Sequence, residues 1–278
     1  MNDFLIGVCD ATPLSGVGDA PFVSKDISKR TDPCAIMPDA RSVIVVAVPY
    51  EKKILDLGTI YNCPHIHATT MQQSGFISSL VTNSDYHKRV KDILHTIAQD
   101  IKQYKILVDS PYLDERAFAQ RAGIGYYGRH GLIITEKYGT RCNLGLLITD
   151  RYIPTTCVLP EEFCSTDCKL CIKSCPTSAL SDHGFNYKIC ISYLTQKADL
   201  LEHEAKLIGN HLYGCDICQN ICPKNKPEEI YHADPEKWLT MSDDKWKELY
   251  GHTAILWQGN KILKRNAKVV INNLTGKT

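Results

Sequence analysis

Seven cysteines in two short runs, with an eighth between them, are the residues of this chain best spaced to do chemistry. The first run is Cys164-Ser-Thr-Asp-Cys168-Lys-Leu-Cys171-Ile-Lys-Ser-Cys175-Pro176, and the second is Cys215-Asp-Ile-Cys218-Gln-Asn-Ile-Cys222-Pro223. A cubane iron–sulfur cluster needs four thiolates arranged tetrahedrally. Two-residue gaps let one loop supply three of them, and a remote cysteine followed by proline supplies the fourth, which in two-cluster ferredoxins belongs to the other cluster. That logic predicts two [4Fe–4S] clusters. One takes Cys164, Cys168, Cys171 and the remote Cys222. The other takes Cys215, Cys218, the remote Cys175 and one further thiol, for which Cys190 is the nearest candidate. Zinc in four-cysteine sites would use the same Cys-x2-Cys pairs, but the two Cys-Pro steps and the three-residue gaps favour iron–sulfur. Cys164 fits least well, because three residues separate it from Cys168 where two are usual. Cys9, Cys34, Cys63, Cys142 and Cys157 follow no such spacing and read as ordinary buried thiols.

Two features of the first half invite chemistry. Asp109 lies in Ile106-Leu-Val-Asp-Ser-Pro-Tyr, at the end of a predicted strand, a common place for a catalytic group. From these residues alone, a turn-forming aspartate ahead of Pro111 is the favoured reading. Gly123-Ile-Gly125-Tyr-Tyr-Gly128-Arg-His-Gly131 looks like a phosphate loop, yet it follows a predicted helix and lacks a Lys-Ser/Thr ending. Its glycines point instead to close backbone approach, to a large ligand or to a neighbouring strand.

Elements must position these groups. Arg41–Tyr50 is a β-branched apolar run that predicts a buried strand. Tyr86–Tyr104 repeats apolar residues at Val90, Ile93, Leu94, Ile97 and Ile101, one face of an amphipathic helix with Asn83 or Ser84 as its cap. A strand over Lys105–Val108 and a helix over Asp114–Ala122, stopped at Gly123, come next. Gly131–Thr135 and Asn143–Thr149 suggest a hairpin around Lys137-Tyr138-Gly139. The predicted organisation is an α/β domain over 1–162, a cofactor-organised module over 163–225 and a lysine-rich tail over 226–278, with helices near Ser242–Tyr250 and Asn260–Asn273, packing on the first domain.

Composition narrows the class. A formal charge of +1 gives no general drive toward nucleic acid or membrane, though a local basic patch stays open. No apolar stretch is long enough to span a bilayer, and the first twenty residues lack the basic start of a signal peptide. Thirteen cysteines in such a chain suit metal binding in a reducing cytoplasm better than a disulfide scaffold.

Taken together, the residues resemble a known family, the epoxyqueuosine reductases. The likeness runs through Met37-Pro-Asp-Ala-Arg-Ser-Val-Ile-Val-Val, Asp85-Tyr86-His87, Val108-Asp109-Ser110-Pro111 and Glu115-Arg116-Ala117. It continues through Ala122-Gly-Ile-Gly-Tyr-Tyr-Gly128, Leu144-Gly145 to Thr149, Cys190-Ile-Ser-Tyr-Leu-Thr195, the second cysteine run and Arg265-Asn266-Ala267. The resemblance implies a nitroreductase-like α/β cobalamin-binding domain joined to a ferredoxin-like module with two [4Fe–4S] clusters, Cys190 completing the second. It implies base-off cobalamin without a protein histidine ligand, and Asp109 as the acid that protonates the epoxide-derived oxygen. Burial should then raise the pKa of Asp109. Ser192 and Thr195 fall in a segment that approaches the corrin in the family, and Tyr86, Arg129 and His130 are looser candidates for the same site. The implied reaction is reduction of epoxyqueuosine in tRNA, or a related reduction, with electrons from an external donor. The family pattern includes a HEAT-like C-terminal extension that helps hold tRNA, and this sequence stops short of it. Lys261, Lys264, Arg265, Lys268 and Lys277 make the last stretch basic, suited to phosphate contact or equally to a solvated face. The alternatives are a corrinoid reductase of the reductive dehalogenase type and a non-catalytic electron-transfer or corrinoid-handling protein.

Overall fold

A computed structural model of the chain describes residues 3–51, 60–62, 74–81, 84–156, 164–165 and 167–276. It divides into two compact units, Met1–Tyr50 with Tyr86–Lys169, and Glu51–Asp85 with Leu170–Thr278. In chain order the strands are β1 (Leu5–Asp10), β2 (Ser42–Pro49), β3 (Ile60–Asn62), β4 (Gly75–Ile77), β5 (Tyr104–Leu107), β6 (Tyr126–Tyr127), β7 (Ile133–Ile134) and β8 (Cys142–Thr149). They continue with β9 (Leu180–Ser181), β10 (Gly184–Phe185), β11 (His211–Tyr213) and β12 (Tyr231–Ala233). The helices are α1 (Ile27–Thr31), α2 (Tyr86–Ile97), α3 (Glu115–Arg121), α4 (Leu170–Ser174), α5 (Ile191–Leu194), α6 (Glu202–Leu207), α7 (Ile217–Asn220), α8 (Pro235–Thr240), α9 (Asp243–Tyr250) and α10 (Asn260–Thr275).

The first unit is built on an antiparallel sheet in the order β1-β2-β8-β5. β2 is apolar at nearly every position because both of its faces are covered. Side chains alternate across a strand, so Val43, Val45 and Ala47 meet Phe118 of α3 and Ile148, while Ile44, Val46 and Val48 meet Val90 and Leu94 of α2. Asp114 starts α3 by accepting the Ala117 amide on its carboxylate. Two expectations change here. The helix from Tyr86 stops at Ile97, and the chain enters β5 at Tyr104. Ile101 is still buried on the α2 side, which is why its periodicity read as helix. The expected hairpin does not form either. β7 pairs with β6, whereas β8 pairs with β2 and β5, and the Lys137–Gly139 turn closes only the Thr135–Gly139 bridge. A strand as apolar as β8 is accommodated at the sheet centre, between two partners.

The second unit contains a sheet in the order β11-β4-β12-β3, in which only the β11–β4 pair is parallel. Strand segments from 51–85 therefore complete a sheet whose other strands follow residue 210, a division that differs from the boundaries read from composition. The residues expected to form a tail are central to this unit. α10 packs on α8, β11 and α6, and Trp238, Trp246 and Tyr250 form a fully buried aromatic cluster with ring centroids 4.8 to 5.7 Å apart. The Trp238 indole N–H donates to the Tyr250 hydroxyl at 3.1 Å, while the buried Trp246 indole N–H has no hydrogen-bond partner among the described residues.

Candidate functional site

Asp109 follows β5 and has φ of 48°, a left-handed conformation that few residues besides glycine, asparagine and aspartate adopt. That turn carries its carboxylate to the start of α2. There it accepts a hydrogen bond from the Tyr86 hydroxyl at 2.7 Å and lies 3.7 Å from His87 Nε2, both on the same oxygen, Oδ2. The Tyr86 and His87 rings stack at 4.1 Å, which fixes both donors together. The Asp109 side chain remains 69% exposed, open to a reacting partner. The His87 contact first, and the Tyr86 hydroxyl with it, hold the carboxyl below the usual aspartate range against the opposing effect of desolvation. The expectation that burial raises this pKa is thereby corrected: two positioned donors stabilise the anion.

The carboxyl that is raised is Glu115, in the first turn of α3. Burial, and after it the negative charge of Asp109, push Glu115 well above the ordinary range, although the Ser110 amide lies 3.4 Å from its Oε1. The site thus holds two carboxyls whose environments drive them apart, a pattern found where acid–base chemistry is done. His87 and Glu115 were not singled out as site residues, although they lie in the Asp85-Tyr86-His87 and Glu115-Arg116-Ala117 segments.

The glycine-rich loop serves the β6–β7 pair. A Cβ on Gly125 would sit 2.4 Å from the Ile134 carbonyl oxygen, and one on Gly128 would sit 2.5 Å from the His130 ring. Backbone approach to a neighbouring strand accounts for Gly125, and space for an imidazole accounts for Gly128. His130 is buried, and its Nδ1 accepts the Leu132 amide at 3.2 Å, which assigns the ring proton to Nε2. That Nε2–H is buried without a hydrogen-bond partner, and burial lowers the pKa of the ring to about 4. An unsatisfied buried donor costs about 1–3 kcal/mol, so the loop holds a neutral donor suited to an acceptor on an additional bound group. Arg129 is half-buried beside it.

In the second unit, helix starts and ends position the thiols. Cys171 lies in α4 and Cys175 just beyond it, Cys190 is the N-cap of α5, Cys215 precedes α7 and Cys218 lies within it. α4 and α7 pack together. Burial raises the Cys190 thiol and Cys175 adds to it. Burial pushes Cys215 up to about 12, with Cys190, Asp216 and Cys175 contributing. Cys218 is raised by burial and then by Cys215 and Cys190, with a smaller effect of Cys171. Cys175, Cys190, Cys215 and Cys218 therefore share one neighbourhood, the four grouped from spacing and the nearest candidate. Half-buried thiols, with Cys190, Cys215 and Cys218 raised by burial and by neighbouring thiols, are a donor set that a cationic iron centre would neutralise. Among the described residues no three metal-capable side chains close to direct coordination distance.

Cys164 and Cys168 end the first unit, and the Cys168 amide donates to the Ser165 carbonyl at 3.0 Å, a turn that takes up the longer gap. Cys222 follows α7, where its amide donates to the Gln219 carbonyl. Ser192 is half-buried and accepts from Gln196 at 3.3 Å. Thr195 is fully buried, and its hydroxyl donates to the Ser192 carbonyl and accepts the Gly214 amide at 2.9 Å, so it joins the chain after Cys190 to the chain before Cys215. Of the other cysteines, Cys9 is buried, Cys34 and Cys142 are half-buried, and Cys63 and Cys157 lie outside the described residues.

Comparison with known proteins adds two family matches. Residues 164–225 match a 4Fe-4S double cluster binding domain, so the chain carries that domain. Residues 30–110 match the family described as Epoxyqueuosine reductase QueG, DUF1730. A Staphylococcus aureus protein named epoxyqueuosine reductase is 35% identical over 266 residues, covering 88% of this chain and 67% of that relative. A crystal structure of epoxyqueuosine reductase with an epoxyqueuosine-modified tRNA stem loop superposes with a TM-score of 0.82 at 28% identity, covering 97% of this chain and 77% of that one. A Bacillus subtilis epoxyqueuosine reductase structure, described with its catalytic aspartate loop swung out of the active site, has a TM-score of 0.81 at 27% identity over the same shares. With this identity over two thirds of a curated relative, and the double-cluster domain alongside, the chain belongs to the epoxyqueuosine reductase family of oxidoreductases.

Proposed function

We propose that this chain reduces epoxyqueuosine to queuosine in tRNA, with Asp109 delivering a proton and two [4Fe–4S] clusters passing electrons from an external donor to cobalamin. The observation that carries the reading is the exposed Asp109 carboxylate, held by Tyr86 and His87 at a strand end, in a member of this family. Removing the oxygen of an epoxide consumes two electrons and two protons and releases water. Cobalamin, when bound, supplies the strongly reducing two-electron chemistry for that step. His130, whose buried Nε2–H lacks a partner, and Arg129 and Tyr86 are the residues of the first unit we assign to holding it. Asp109 takes up a proton from the imidazolium form of His87 and hands it to the departing oxygen, water supplies the second proton, and Tyr86 fixes the carboxylate rotamer. Cys164, Cys168, Cys171 and Cys222 hold one cluster, and Cys175, Cys190, Cys215 and Cys218 hold the other.

The chain spans about two thirds of the curated relative it matches, and tRNA is its proposed substrate by that relationship. No helix among the described residues is long and apolar enough to cross a membrane. The test is anaerobic turnover of tRNA bearing epoxyqueuosine by protein reconstituted with iron, sulfide and cobalamin. Queuosine formation that is lost in Asp109→Asn, with corrin and iron both retained, supports the reading. Absence of product from wild-type protein that retains both cofactors overturns it.

A further inference from the structure

Asn266 lies in the middle of α10 and is fully buried, an unfavourable place for asparagine in a helix. Arg265 holds its side chain from one side: Nε and Nη2 of the guanidinium donate to Asn266 Oδ1 at 3.1 and 2.8 Å. The amide nitrogen is thereby turned the other way. Nδ2 donates to the Thr195 carbonyl at 2.7 Å and to the Leu212 carbonyl at 2.8 Å. Thr195 closes α5, where carbonyls lack intrahelical partners. Leu212 lies on β11, the edge strand of its sheet. One side chain thus satisfies an acceptor on each of two segments that secondary structure leaves unconnected.

Those segments carry cysteines. α5 begins at Cys190, and β11 runs through Gly214 into Cys215. The Thr195 hydroxyl, which accepts the Gly214 amide, is a second tie between them. Arg265 also donates to the Lys197 and Ala198 carbonyls at 2.6 and 2.7 Å, so the chain beyond α5 is fastened to the same helix. We propose that Asn266 is a positioning residue for the second cluster, setting the spacing of Cys190 and Cys215 by bridging the backbones that present them. The inference rests on the reading that Cys175, Cys190, Cys215 and Cys218 share one cluster. It gives the Arg265-Asn266-Ala267 segment a role that neither proton delivery nor thiolate ligation explains.

The experiment compares anaerobically reconstituted wild type with Asn266→Asp, which keeps the shape but removes both N–H donors, and with Asn266→Ala and Thr195→Val. The readouts are iron per chain, EPR spectra and midpoint potentials of the reduced clusters, and the rate of iron release to a chelator. Half of the iron in the Asn266 variants should leave about tenfold faster or more, as for other outer-shell ligand supports. The potential and spectrum of one cluster should change while those of the other stay at wild-type values, and Thr195→Val should act in the same direction. Wild-type potentials, spectra and release rates for both clusters in the Asn266 variants overturn the inference, even if their melting temperature falls. If the Asn266 variants fail to fold, Thr195→Val decides on the same readouts. Wild-type protein that never takes up a second cluster overturns the ligand reading itself, and the inference with it.

Discussion

The Tyr86 hydroxyl donates to Asp109 Oδ2 at 2.7 Å across a sequence separation of 23 residues, placing the start of α2 against the turn that follows β5. Removing that donor in Tyr86→Phe should raise the Asp109 pKa toward its ordinary value. The carboxylic acid that donates the proton then persists to higher pH, so the limb on which kcat/KM falls as Asp109 ionises should move upward. Loss of one hydrogen bond at an exposed charge is worth about 1 kcal/mol, roughly a fivefold fall in rate. A pH–rate profile in which that limb is unmoved would show that this contact does not tune the acid.

Asp109→Asn keeps a residue that tolerates the left-handed backbone, so folding should survive the change. The folded-state pKa of Asp109 is lowered, so its charge contributes stability above the unfolded value of 3.8, and that contribution disappears as pH falls through the folded value. Exposure limits the size to a fraction of a kcal/mol. Urea unfolding should show wild type slightly more stable than the variant at neutral pH and equal to it below the carboxylate range.

His130 contributes with the opposite charge. Its pKa falls from 6.5 unfolded to about 4 folded, so the unfolded chain binds the extra proton between those values and stability is lost as pH drops through that window. The full swing is about 3 kcal/mol. His130→Gln should flatten the acid side of the stability curve by roughly that amount, while His211, also lowered to about 4, keeps its own share. An unchanged curve would mean that the ring protonates in the folded state.

Gly125→Ala places a methyl group 2.4 Å from the Ile134 carbonyl oxygen, a backbone atom that cannot rotate away. Overpacking of this kind costs about 1–3 kcal/mol. Thermal melting should show the loss, and Gly131→Ala, strained by its φ of 76° but with no atom within 4 Å of the added Cβ, separates backbone strain from collision.

Cys190→Ser tests the proposed ligand outside the two runs. Anaerobic iron analysis should show the content falling toward one cluster per chain, with the EPR signal of the remaining cluster unchanged. Full retention of both signals would remove Cys190 from the ligand set.

The double-cluster domain was legible in the sequence because cysteines three or four residues apart share one turn or loop, and local spacing is what a linear text records. β2, α2 and α3 were legible for the same reason: burial imposes a period of two or of three to four on consecutive residues. What only the tertiary structure decided are the relations between distant segments. β8 entered the centre of its sheet and did not fold back on β7, because an apolar strand is best buried with a partner on each side. Residues 60–62 and 75–77 joined strands that follow residue 210, a pairing no local signal announces. The direction of the Asp109 pKa also came from the fold. The family resemblance implied a buried carboxyl and hence a raised value, whereas the left-handed turn at Asp109 brought it to two stacked donors at the start of α2. A pKa depends on which dipoles surround the charge, and that is a property of three-dimensional neighbours.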